Sequence, residues 1–170
     1  MRKCCCCISV HAGAFVLGDS AAGPKPSLGA DSLAVYAAGG STFFSDGAAT
    51  TGVELAPGAG TWSSLSDRAS KEDIELVDPL VVLERLAGVP VATWSYRAQG
   101  PAVRHMGPMA QDFHAAFGLG VSDTRIDGVD PDGVSFAAIQ GLLLRLEASQ
   151  AQVRDLEQRL AALEASLTED

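Results

Sequence analysis

The chain has 170 residues, 47% of them hydrophobic, so it is long and apolar enough for one domain, or for a small domain with an appendage, and wholesale disorder is excluded. Its 12 basic and 21 acidic residues give a formal charge of -9 with no basic stripe, which excludes nucleic acid as a partner because phosphate binding needs clustered cations. No run of about 18 apolar residues occurs, so no membrane span is expected. No cofactor or metal motif stands out.

At the amino end, Arg2 and Lys3 precede an apolar run, residues 4–10. The run is marginal for the core of a secretory signal and has no clear cleavage site, so it reads as an odd start instead. All four cysteines are consecutive, Cys4 to Cys7. Adjacent residues of an extended chain point to opposite sides, so the run suits neither a tetrahedral metal site nor a disulfide framework.

Residues 1–60 hold ten of the 18 glycines, twelve alanines and only three basic residues. Their apolar groups come in short pieces: Ala14-Phe15-Val16-Leu17, residues 32–36, Thr42-Phe43-Phe44 and residues 51–55. Turn formers bound each piece, among them Gly18-Asp19, Gly39-Gly40, Asp46-Gly47 and Pro57-Gly58. This grammar predicts short strands with tight turns. Sixty such residues bury little alone, so intertwining with identical chains is expected; a loose Gly/Ala linker is the competing reading.

After Trp62 the pattern changes. Residues 73–88 have mostly helical spacing, with Asp78-Pro79 as a start and Gly88 as a stop. Residues 89–97 alternate and favour a strand, with 103–106 available to pair. Residues 108–117 predict a short helix ending at Gly118, followed by a Gly/Asp-rich loop to about Gly133. Ile139, Leu142, Leu146, Ser149, Val153, Leu156, Leu160, Leu163 and Leu167 then follow alternating steps of three and four. That is a heptad seam, the mark of a coiled coil, and it predicts an oligomer without fixing the number of strands.

The chemistry lies between the halves. Beyond residue 61 the chain has eight arginines and one lysine, Lys71. Lysine differs from arginine in being able to give up its proton when buried. A neutral amine beside a hydroxyl makes a Ser/Lys nucleophilic pair, and Ser66 lies five residues before Lys71. That spacing suits a turn better than one helix face. Alone, the pairing is weak, since a solvated lysine is the ordinary case.

The surrounding residues add to it. Ser66-Asp67-Arg68-x-x-Lys71 resembles the opening motif of the intramolecular chaperone domain of phage tailspikes and fibres, whose type member is the endosialidase tailspike. A related domain occurs in a membrane-tethered animal transcription factor. The resemblance continues through Pro90-Val91-Ala92-Thr93-Trp94-Ser95-Tyr96, through the segment from His105 to Phe113, and through Ala137-Ala138-Ile139-Gln140-Gly141-Leu142. It covers roughly residues 62–163. Ser70 departs from the pattern, where a larger or apolar residue is expected. Upstream, the segments near His11 and Thr51 resemble the short repeats of trimeric stalks.

The resemblance implies an α+β fold: a small mixed domain with a carboxyl-terminal coiled-coil helix, preceded by a short-stranded, β-rich trimeric stalk. The expected division is 1–61 for the stalk, 62–134 for the auto-processing domain and 135–170 for the helix. It implies a homotrimer that helps the upstream β-rich fibre of its own chain to fold, then cuts itself off at Leu65–Ser66. Ser66 maps onto the nucleophile and Lys71 onto its base, making a single-turnover serine peptidase. Asp67, Arg68, Gln111 and Asp112 are supporting residues; Asp67 and Arg68 orient the loop, stabilise developing charge or simply form an exposed ion pair. The implied setting is a virion tail fibre or tailspike, or a prophage copy, made in the bacterial cytoplasm. The alternatives are an uncut trimerisation cap and a surface adhesin whose binding lies in residues 10–60.

Other residues fit structural roles. His105 and His114 lack a clear carboxylate partner, and His11 reads as a surface residue. Trp62, Trp94, Tyr96, Phe113 and Phe117 read as core. Asp123, Asp127, Asp130 and Asp132 lack the spacing of a calcium loop and read as solvated.

Overall fold

The computed structural model describes residues 7–8, 11–20 and 23–168. The readings of Cys4 to Cys6 and of the leading segment lie outside these residues. The protein is α+β and divides into two compact units, Met1–Ile74 and Glu75–Asp170. Among the described residues, no helix is long and apolar enough to cross a membrane.

The first unit is built from strands and turns; among the described residues four strands fall on the short apolar pieces, and three two-residue strands lie elsewhere. Strand β1 (Cys7–Ile8) pairs in parallel with β3 (Lys25–Pro26), and β2 (Phe15–Gly18) with β4 (Leu33–Tyr36). Parallel neighbours cannot be joined by a tight hairpin, so the chain winds forward between them. Side chains alternate as a pleat requires: Val16 and Ala34 are covered, whereas Phe15, Leu17, Leu33 and Val35 face outward. Lys25 is buried, 3.7 Å from the Asp19 carboxylate and over the Tyr36 ring. His11 is exposed and meets the buried Ser27 hydroxyl at 2.8 Å.

Strands β5 (Ser41–Phe44), β6 (Gly52–Leu55) and β7 (Ser63–Ser64) form an antiparallel sheet in that order. Gly52 is needed at the β5–β6 approach, because a Cβ there would run into the Phe43 carbonyl. Trp62, expected in the core, is more than half exposed, its ring edge-on to Phe43.

The second unit begins its first helix, α1 (Pro79–Ala87), at the Asp78-Pro79 signal and not at residue 73. Asp78 is held extended, as a residue before proline prefers, and its carboxylate accepts from the Leu80 N–H at 2.8 Å. Gly88 closes the helix. The expected strand shortens to β8 (Ala92–Trp94), which pairs antiparallel with β9 (His105–Gly107). Helix α2 (Ala110–Phe117) ends at Gly118, whose left-handed φ of 67° suits glycine. Trp94 is half-buried and Phe113 fully buried, but Tyr96 is exposed, with one edge against Trp94.

The last helix, α3 (Val129–Thr168), starts before the expected end of the Gly/Asp loop. Pro131 falls in its first turn, where a missing N–H costs nothing, and Asp130 and Asp132 favour the positive end of the helix dipole. Val134, Ala137, Ala138 and Gly141 bury the early part of α3, and α1 packs on this face. At Gly141 the helices touch backbone to side: an added Cβ would collide with the Pro79 carbonyl and crowd Leu83. Gly133, on the same helix, faces open space. Gly141→Ala therefore loses about 1–3 kcal/mol to overpacking, more than the ~1 kcal/mol that better helix propensity returns. Gly133→Ala should gain about 0.5–1 kcal/mol. Thermal unfolding should show the midpoint falling for the first variant and rising for the second.

Candidate active site

Ser66 and Lys71 are brought together by one short turn. A 3-10 helix spans Arg68–Ser70, flanked by Asp67 and Lys71 in extended conformation. Asp67 caps it, its carboxylate accepting from the Ala69 N–H at 2.9 Å. Backbone bonds from Ser70 N–H to the Asp67 carbonyl and from Lys71 N–H to the Arg68 carbonyl, both 3.2 Å, close the turn. Ser70 adds a side-chain bond to the turn. Its hydroxyl also donates to the Asp67 carbonyl, at 2.8 Å, and so locks the loop. The result is that Lys71 Nζ donates to Ser66 Oγ at 2.6 Å. Both residues are exposed in the single chain.

The peptide bond before Ser66 is tethered from the other side. Ser63 and Ser64 pair with Glu54 and Val53 of β6, and the Leu65 N–H donates to the Gly52 carbonyl at 3.0 Å. Leu65, Ser66, Asp67, Ala69 and Ser70 line a shallow cavity of about 310 Å³ together with Ala49 and Thr50. The Leu65–Ser66 bond thus lies between a strand fixed to a sheet and a capped turn.

Asp46 holds the facing loop. Its carboxylate accepts from the Thr50 N–H at 2.9 Å, the Thr51 N–H at 3.0 Å and the Thr50 hydroxyl at 2.8 Å. These bonds, led by that from the Thr51 backbone, hold its carboxyl well below the usual carboxylate range. A depressed carboxyl contributes stability that is complete above its unfolded value, about 3.9, and is lost only as pH falls through the lower folded value. Sequence reasoning took Asp46-Gly47 as a turn signal only. The four-residue step from Asp46 to Thr50 was the clue to a local carboxylate–backbone loop.

Asp67 makes no ion pair with Arg68 among the described residues; the carboxylate is used as a cap. Gln111 and Asp112 stand on α2 in the second unit. Asp112 is in the first turn, facing the favourable end of that helix dipole. Gln111 lines a cleft of about 620 Å³ with Trp94, Tyr96, Arg125 and Asp127. His105 bonds Gln99 at 2.8 Å and stacks on Trp94, and His114 bonds the Leu119 carbonyl at 2.8 Å. Among the described residues, no three His, Cys, Asp or Glu side chains gather as metal ligands.

Residues 66–121 match the family model Peptidase_S74, described as chaperone of endosialidase. The matched segment opens on Ser66 and spans about a third of the chain. No curated protein and no solved structure matches the chain.

Two outcomes are expected from this geometry. Asp67→Ala removes a cap worth about 1 kcal/mol, so hydrogen exchange at the Ala69 amide should speed up roughly fivefold, whereas Asp67→Asn, which still caps, should leave it near the wild-type rate. In a pH titration followed by NMR, the Asp46 carboxyl should titrate well under pH 3.9, with the Thr50 and Thr51 amides remaining protected until it does.

Proposed function

We propose that the chain is an intramolecular chaperone that assembles as a homotrimer, assists the folding of an upstream β-rich fibre and releases itself by cutting Leu65–Ser66. The observation that carries this reading is the Lys71 Nζ–Ser66 Oγ contact, one residue beyond Leu65, whose N–H is tied to the Gly52 carbonyl. The family match supports the chaperone class and a link to phage tail fibres. The functional division proposed is 1–61 for the fibre end, 62–134 for processing and 135–170 for a coiled coil.

In this mechanism a neutral Lys71 amine takes the Ser66 Oγ proton as the oxygen attacks the Leu65 carbonyl carbon. The Leu65–Ser66 C–N bond breaks, and the Ser66 nitrogen receives that proton and becomes a free amine. An ester now joins Leu65 to Ser66 Oγ. Water cleaves it, leaving a Leu65 carboxylate and restoring the hydroxyl. Nucleophile and target sit on adjacent residues, so proximity lowers the barrier without any substrate pocket. Pairing of β7 with β6 would keep the new end at Leu65 fixed to the fibre side after the cut.

Assembly supplies the trigger. A lysine amine in water keeps its proton at neutral pH, and Lys71 is exposed in the single chain. Covering it with neighbouring copies would disfavour the ammonium and free the amine to act as base. The reason to expect neighbours is α3, where Ile139, Leu142, Leu146, Leu156, Leu160 and Leu163 are all more than half exposed along one seam. A helix presenting such a stripe stabilises itself by packing against partners.

The exposure of Lys71 also favours a second reading, a trimeric cap that is never cut. Ser66→Ala and Lys71→Ala decide between them. Both variants should stay trimeric by analytical ultracentrifugation and remain a single 17.5 kDa chain on denaturing electrophoresis, while the parent separates into two pieces. An uncut parent supports the cap. Lys71→Arg, which keeps the charge and the donor but holds its proton, should be as inactive as Lys71→Ala. Leu156→Asp with Leu160→Asp should abolish both the trimer and the cut.

A further inference from the structure

The first unit repeats itself with a period of 18 residues. Each residue of β1 and β2 is matched in register with the residue 18 further on: Cys7 with Lys25, Phe15 with Leu33, Leu17 with Val35. Left-handed corners fall at the same interval, at Gly13 (φ 69°), Asp31 (φ 55°) and Ala49 (φ 57°). The sequence carries the same beat in Ser9, Ser27 and Ser45, in Ala12, Ala30 and Ala48, and in Leu17, Val35 and Val53. Ala14, Ser32 and Thr50 keep the residue after each corner small.

The first two repeats stack as coils. Besides the strand ladders, the Asp31 N–H donates to the Ala12 carbonyl, the Phe15 N–H to the Ser32 carbonyl and the Asp19 N–H to the Tyr36 carbonyl, at 2.8–2.9 Å. Corner sits against corner: a Cβ at Gly13 would strike the Asp31 side chain. The third repeat keeps the phase but not the pairing. Its strands, β5 and β6, fold back on each other, and β7 takes the outer edge of β6. A glycine at the foot of this hairpin permits the change, because a Cβ at Gly40 would come 2.7 Å from the Leu55 carbonyl.

We propose that this 18-residue repeat is the module of a parallel β-solenoid, that the partner each coil recognises is another coil of the same repeat stacked in parallel, and that the third repeat ends the stack. Recognition is by backbone edges in register, by the ladders Phe15–Leu33 and Leu17–Val35, and by one left-handed corner seating on the next. An arbitrary strand has the edges but not the corner. Repeat architectures need several stacked units and end in atypical ones, which is the part the third repeat plays. This inference stands apart from the chemistry at Ser66.

The test is made on the full chain. A second copy of residues 19–36 is inserted after Tyr36, and in a control a copy of residues 23–36 is inserted at the same place, which breaks the phase. Hydrogen exchange is then read strand by strand. The in-phase insert should become a further coil: its copy of Leu33–Tyr36 is protected as strongly as β4, and β2 keeps its protection. The out-of-phase insert should lose protection both in the copy and in the parent β4. If both inserts behave alike, ordered or unprotected, or if the in-phase copy exchanges as a free loop, the modular solenoid is overturned.

Discussion

One short contact organises the candidate site: Lys71 Nζ donating to Ser66 Oγ at 2.6 Å. Between two exposed side chains such a bond adds little to stability. Its importance is positional. On a regular α-helix residues five apart would point to different faces, and on a strand they would stand far apart. A single 3-10 turn, capped by Asp67 and tied by the Ser70 hydroxyl, turns the five-residue step into contact. Because β7 pairs with β6 and the Leu65 N–H donates to the Gly52 carbonyl, the residue before Ser66 is anchored to the sheet.

The two units answer different physical demands. In the first, glycine, alanine and short strands build coils with little interior, so order comes from stacking and from local loops such as that of Asp46. In the second, the small residues of early α3 bury themselves under α1, with Gly141 leaving room for the Pro79 carbonyl. The rest of α3 carries an apolar seam into solvent. A stripe of this kind suits packing against other helices, and the proposed trimer rests on it.

Much of this was legible from residue order. Asp78-Pro79 and Gly88 bracket α1 where the capping rules place its ends, and the short apolar pieces of the first sixty residues match β2, β4, β5 and β6. The Ser66–Lys71 pair was visible from a lone lysine among arginines. What stayed hidden depends on non-local geometry. The 18-residue beat is carried at its corners by three different residues, glycine, aspartate and alanine, and composition does not reveal that all three share a positive φ. Parallel register is set by contacts a whole coil apart. Trp62 and Tyr96 are core residues by type, yet both are more than half exposed, Trp62 edge-on to Phe43 and Tyr96 edge-on to Trp94 and His105. Ser70 stands where a larger or apolar residue is expected, and the bond its hydroxyl makes in closing the turn depends on backbone geometry that residue order does not carry.

The most direct measurement is the mass of every species in a sample of the assembled wild-type chain, with the amino-terminal residue of each piece determined. Cleavage at Leu65–Ser66 should give one piece that begins at Ser66 and a complementary one that ends at Leu65, both appearing only once the chains have associated. A fully associated sample that contains nothing but the intact chain, or that is cut at another bond, would contradict it.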